Sequence, residues 1–366
     1  MVKTEEKKKP NIKKRILVAV FIVFNAAIIL WTALSEFADN ENKVKLSDVK
    51  LNGWLLLPAL LIFCMGIFAE IFKYVLMMKK CCNVTDWRTA ARTVLLGRYY
   101  DNITPAAVGG QPFQFMYMKK HGIKNGYSTI IPIIGMISTQ IGFLIVAIIS
   151  YIFLGNKISI GLLGSGFLGL MFYAFFPISI ILATFFRNTV SRIVIWGVKL
   201  LAKIHIVKDK EETIEKTEKT IDKYVSCIKT IAKNKKLTAS ILGLSVVFQI
   251  CISCIPFFVL RTFGGDINFF TCFVTTLCIT SAIYFVPTPG NAGAAEGSFF
   301  FIFNGLATSG YTFWAMLFWR FFSYYSYILT GVIIYALIAY EKKTGRFFIS
   351  DAKNWLKKQL KRVKKA

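Results

Sequence analysis

Two histidines, His121 and His205, are all that a chain of 366 residues carries, and each sits beside a basic stretch without an acidic pair or ligand spacing. That argues against a metal centre. There are eight cysteines, but Cys251-Ile252-Ser253-Cys254 lies in an apolar run with no second pair at zinc-finger spacing, and Cys81-Cys82 stands alone. They read as helix-packing residues rather than ligands or disulfides. The sequence also lacks a Walker lysine motif, a dinucleotide fingerprint and a nucleophile elbow. That argues against ATP-driven pumping by this chain, no cofactor is implied, and the balance is against an enzyme. Acidic residues are scarce, 19 against 45 basic, for a net charge of +26. No base-stacking or groove-reading motif accompanies that charge, which argues against a nucleic-acid partner.

What the chain has is apolar length. Hydrophobic residues make up 55% of it, in long runs separated by charged clusters, the pattern of a polytopic membrane protein. Runs at about 16–34, 52–78, 127–154, 160–186, 238–260 and 311–340 each come near or above the ~20 residues that cross hydrocarbon. The first is too long for a signal h-region, and Ser35-Glu36-Phe37 is a poor cleavage site, so it reads as a retained span.

Lysines crowd residues 1–15 and 341–366, which places both termini in the cytoplasm under the positive-inside rule and lets both tails attract anionic headgroups. The 35–50 loop is then external. Residues 187–236 are internal, with an amphipathic stretch at 190–206 suited to the headgroup layer and a charged, solvated helix at 208–236. The membrane region spans 16–340.

Two apolar segments are broken by proline and glycine: Thr104-Pro105-Ala106-Ala107-Val108-Gly109-Gly110-Gln111-Pro112, and Pro287-Thr288-Pro289-Gly290-Asn291-Ala292-Gly293. Broken backbone at membrane depth is tolerated only inside protein or along a wet cavity, and corresponding breaks in two halves point to a transporter's binding site. With six full crossings, 89–117 and 269–306 become opposed re-entrant hairpins, as in an inverted repeat. Counting each limb as a full span gives up to ten crossings with the same ends inside.

In the first break, the Gly109 and Gly110 amides, with Arg98, Asn102 and Gln111, form a candidate phosphate site, and Pro105 and Pro112 stop helix on either side. A plain glycine-capped turn is the alternative. In the second, Pro287, Pro289, Gly290, Asn291 and Gly293 precede Glu296, which can pair with a cation, hold a proton, or simply brace the loop at a helix start. Arg320, deep in the last run, is expected to face the transport path. Glu70 and Lys73 read as a mutually neutralising pair, with Lys73 snorkelling, and Gln140 and Gln249 as interhelical glue.

Gly97-Arg98-Tyr99-Tyr100-Asp101-Asn102-Ile103-Thr104-Pro105 with Gly109-Gly110-Gln111-Pro112, and Pro287 to Glu296, resemble the paired motifs of the lysylphosphatidylglycerol synthase transmembrane, or flippase-like, family. The resemblance covers roughly 15–340. It implies movement of an anionic or aminoacylated phospholipid between leaflets of a bacterial cell membrane, in a family tied to lipid modification and cationic peptide resistance. The chain ends about 25 residues past the last span, so the expectation is the membrane region without a soluble lysyltransferase domain. Asn291 stands where the family more often has glycine. A membrane subunit serving a separate lipid-modifying enzyme and a non-transporting scaffold are the other readings. Oligomeric state is left open.

Overall fold

The computed structural model describes residues 52–107, 109–123, 125–186, 233–284, 286–304 and 311–344, with Arg192, Ile195, Trp196, Glu211, Ile214 and Glu218 described singly. The first apolar run and most of 187–232 lie outside the described residues, as does the tail beyond 344. Among the described residues the chain is all helix, without a strand.

Ten helices follow in order: α1 Leu56–Cys82, α2 Trp87–Ile103, α3 Gly110–Lys120, α4 Asn125–Leu154, α5 Ile160–Phe185, α6 Lys235–Thr262, α7 Phe269–Ile283, α8 Ala294–Phe303, α9 Thr312–Arg320 and α10 Ser326–Thr344. A single π turn, Phe321–Tyr325, joins α9 to α10. Among the described residues five stretches are long and apolar enough to cross a membrane: Gly53–Cys82, Gly126–Lys157, Ile160–Ser179, Lys235–Thr262 and Thr312–Glu341. They match five of the six runs read from the sequence.

The two broken segments are hairpins of short helices. At about 1.5 Å per residue, the 17 residues of α2 and 11 of α3 reach about 25 and 16 Å. The 15 residues of α7 and 10 of α8 reach about 22 and 15 Å. Each limb falls short of the ~30 Å hydrocarbon core, which favours the re-entrant count over ten crossings. Each hairpin is flanked by long helices, α1 and α4 around the first, α6 and α9 with α10 around the second. That order, repeated in the two halves, is the pattern of a repeat.

Packing places the hairpins face to face. The strongest helix contact is α1 on α6, the equivalent helix of each half. Close crossings need small residues, since lipid supplies no hydrophobic drive between helices. A Cβ on Gly142 of α4 would lie 2.8 Å from the Ser245 backbone of α6. Asp86 starts α2 by accepting from the amides of Arg88 and Thr89 at 3.0 and 3.1 Å. Arg88 and Arg92 on α2 both pair with Glu341 near the end of α10, tying the mouth of the first hairpin to the last span. Leu61, Phe68, Ile152, Phe172 and Val332 are more than half exposed and form the outward apolar surface of a membrane protein.

Candidate functional site

The short turn Pro105–Ala107 of the first hairpin touches the turn Pro289–Asn291 of the second. Gly290 makes this possible. It has φ +59°, and a Cβ there would overlap the Tyr324 ring and come 3.3 Å from Asn102 Oδ1. The two breaks read from the sequence are therefore brought together at one point.

On the second side the two charged groups, Glu296 and Arg320, are already engaged. Glu296, in the first turn of α8, accepts from the Gly293 amide through Oε2 at 2.7 Å and from Arg320 Nε through Oε1 at 2.6 Å. The two terminal nitrogens of Arg320 donate to the Gly290 carbonyl at 3.3 and 3.2 Å, and its guanidinium lies 4.7 Å from the Tyr324 ring centre. Glu296 is 2% exposed and Arg320 4%. This geometry is that of the loop brace, and the pair presents little surface to a passing headgroup. Pro287 is exposed, while Pro289, Asn291 and Gly293 are half-buried.

The first side differs. Asn102 donates to the Arg98 carbonyl at 2.8 Å. The Gly109 amide donates to Thr104 Oγ1 and the Gly110 amide to Asp101 Oδ1, both at 2.9 Å. Neither is free to receive a phosphate as the sequence reading expected, because the hairpin uses both to close its own turn. Gln111 is half-buried in the first turn of α3, and Pro105 and Pro112 are exposed.

Arg98 remains. Its Nη2 is 3.7 Å from Glu70 Oε1, an ion contact beyond hydrogen-bond length, and its guanidinium lies 4.9 Å from the Phe248 ring centre. Its guanidinium makes no hydrogen bond among the described residues, although 29% of the side chain is open. Tyr74, Asp101 and Tyr327 lie within electrostatic reach, as do Tyr173 and Tyr284. The five N–H donors of Arg98 thus make no hydrogen bond to a described residue, in a setting of tyrosines beside Glu70 and Phe248.

Lys73 does not snorkel. It is wholly buried, with its three protons given to Gly135 O at 3.1 Å, Thr139 Oγ1 at 2.6 Å and Ser245 Oγ at 3.1 Å, and Nζ is 2.8 Å from Glu70 Oε2. The ammonium therefore fastens α1 to α4 and α6. Gln140 donates to the Tyr284 hydroxyl at 2.7 Å, an interhelical bond as expected. Gln249 instead bonds Ser253 one turn along its own helix, at 3.1 Å. Asp101 was missed as a site residue. Its signal was the spacing, since Arg98 and Asp101 repeat on α2 the three-residue step of Glu70 and Lys73 on α1.

The family model described as lysylphosphatidylglycerol synthase TM region matches residues 16–331. The chain belongs to that family. A UPF0104 membrane protein of Archaeoglobus fulgidus is 24% identical over 308 residues, covering 81% of this chain and 90% of the relative. No solved structure matches. Both long apolar helices and family membership make this a multi-pass membrane protein. In this member of the lysylphosphatidylglycerol synthase transmembrane family, the matched region takes in both broken hairpins and Arg98.

Proposed function

We propose that the chain moves an anionic or aminoacylated phospholipid between leaflets, its phosphate held by Arg98 while the acyl chains stay in lipid against the outer apolar face. The observation that carries the reading is the guanidinium of Arg98, without a hydrogen bond among the described residues, on the first of two hairpins whose tips meet. A charge inside a membrane protein that leaves its donors without hydrogen bonds is costly, and a planar fork of donors is the geometry that binds a phosphate through two oxygens. Family membership supports the same reading. The transport path runs from Arg98 past Asn102 to the braced loop at Gly290, and Glu296 and Arg320 hold that loop in place. A cell membrane with both termini in the cytoplasm is part of the proposal.

The purified chain in vesicles containing fluorescent phosphatidylglycerol tests it. Exchange between leaflets should be accelerated by the wild type and at least tenfold slower with Arg98→Ala. Vesicles that exchange no faster with protein than without it would leave the chain needing a partner, as a membrane subunit or scaffold does.

A further inference from the structure

Four charged groups, Arg98 among them, stand on α1 and α2, and they cancel. Glu70 and Lys73 stand three apart on α1, and Arg98 and Asp101 three apart on α2. Two carboxylates and two cations sum to zero. The remaining titratable groups facing Asp101 from neighbouring helices are the hydroxyls of Tyr74 on α1 and Tyr284 after α7. From α3 it meets the Gly110 amide. The other embedded pair, Glu296 with Arg320, is closed on itself.

A phosphodiester headgroup brings one negative charge into this balanced set. An uncompensated charge in low dielectric is unfavourable, so the bound state has to gain a cation or a proton. Lys73 offers nothing further, because its three protons are committed to Gly135, Thr139 and Ser245. Glu70 has Lys73 at 2.8 Å and also accepts from Thr139 Oγ1 at 3.2 Å. Asp101 is different: no cation among the described residues lies within 4 Å of it, since Arg98 makes its ion contact with Glu70, and its one hydrogen bond there is the Gly110 amide on Oδ1. The Asp101 carboxylate is thus the weakest-held anion in the set when a phosphate arrives at Arg98.

We infer that Asp101 takes up one proton for each anionic headgroup bound at Arg98, which makes transport a proton-coupled, electrically neutral step. The inference rests on the transport reading above. One O–H bond forms at Asp101 Oδ2 as phosphate engages Arg98. The proton comes from the water that admits the headgroup and returns to water on the other side as the headgroup leaves and Arg98 swings back.

Two measurements on the full chain test this. In weakly buffered detergent with a pH indicator, titration with dihexanoyl phosphatidylglycerol should take up about one proton per lipid bound in the wild type. Asp101→Asn keeps the acceptor for the Gly110 amide, so it should bind lipid with almost no proton uptake, and Asp101→Glu should restore it. In vesicles carrying a gradient of one pH unit, dilute labelled phosphatidylglycerol should concentrate roughly tenfold in the leaflet facing the alkaline side, since one proton per lipid makes the two gradients equal and opposite at equilibrium. Lipid binding by the wild type without proton uptake would overturn the coupling while leaving transport standing. Equal uptake by wild type and Asp101→Asn would remove Asp101 from it, and a wild type that binds no lipid would overturn both readings.

Discussion

Arg320 holds the carbonyl oxygen of Gly290 with both terminal nitrogens, across thirty positions of sequence, while its Nε is 2.6 Å from Glu296 Oε1. One guanidinium therefore fixes both the break and the helix that follows it. Its donors meet protein acceptors, whereas those of Arg98 make no hydrogen bond to a described residue, and that contrast is the ground for proposing bracing by the second hairpin and binding by the first.

Glu296→Gln should accordingly act on stability. The amide leaves Arg320 buried without its counter-charge, a situation that costs about 3–5 kcal/mol. The expected result is a marked fall in the melting temperature in detergent. Arg320→Met combined with Glu296→Gln should recover part of the loss, because no lone charge then remains. A well-folded Glu296→Gln protein whose transport loses its pH dependence would move the proton site to this carboxylate.

Arg98→Lys tests the fork. Lysine keeps the charge but presents a point donor in place of a planar pair. Leaflet exchange should fall severalfold, with insertion and melting temperature near wild type, since the guanidinium makes no hydrogen bond to any described residue. Exchange at the wild-type rate by both Arg98→Lys and Arg98→Ala would reduce Arg98 to a surface charge.

Gly290→Ala should destabilise by at least about 1–2 kcal/mol, the cost of a left-handed non-glycine residue, with overlap against Tyr324 added to it. Gly164→Ala is the control, as nothing lies within 4 Å of a Cβ built there. Equal melting temperatures for the two variants would show that the tips do not meet as described.

Orientation is tested by labelling. In a cysteine-free background, a cysteine at Asn42 should react with an impermeant reagent in intact cells, and one at Lys219 only after lysis. The reverse pattern exchanges the leaflet that each hairpin faces.

Apolar run length was enough to find the long helices, because a span must be continuously apolar, and proline with glycine marked both hairpin breaks. Side-chain partnership was not legible in the same way. Glu296 as a brace and Glu296 as a proton site carry the same residues in the same order, and only the positions of Arg320 and Gly293 separate them. Lys73 looked able to reach the interface because snorkelling depends on depth and on the facing helices. The acceptors Gly135 and Ser245 come from two helices far away in sequence. The Gly109 and Gly110 amides were misjudged for a related reason, since Thr104 and Asp101 close back on them across the turn.

The π turn at Phe321–Tyr325 sits between Arg320, which serves the second hairpin, and Tyr327, which lies beside Arg98 in the first. A π turn accommodates one residue more than an α turn, and each α-helical residue advances about 100° around the axis. Deleting one residue from Phe321–Tyr325 would therefore keep the last span helical and apolar but rotate everything after it by about 100° relative to Arg320. Tyr327 and Glu341 would swing away from the first hairpin together. The extra residue is an angular offset that lets one continuous helix address two sites with unrelated registers.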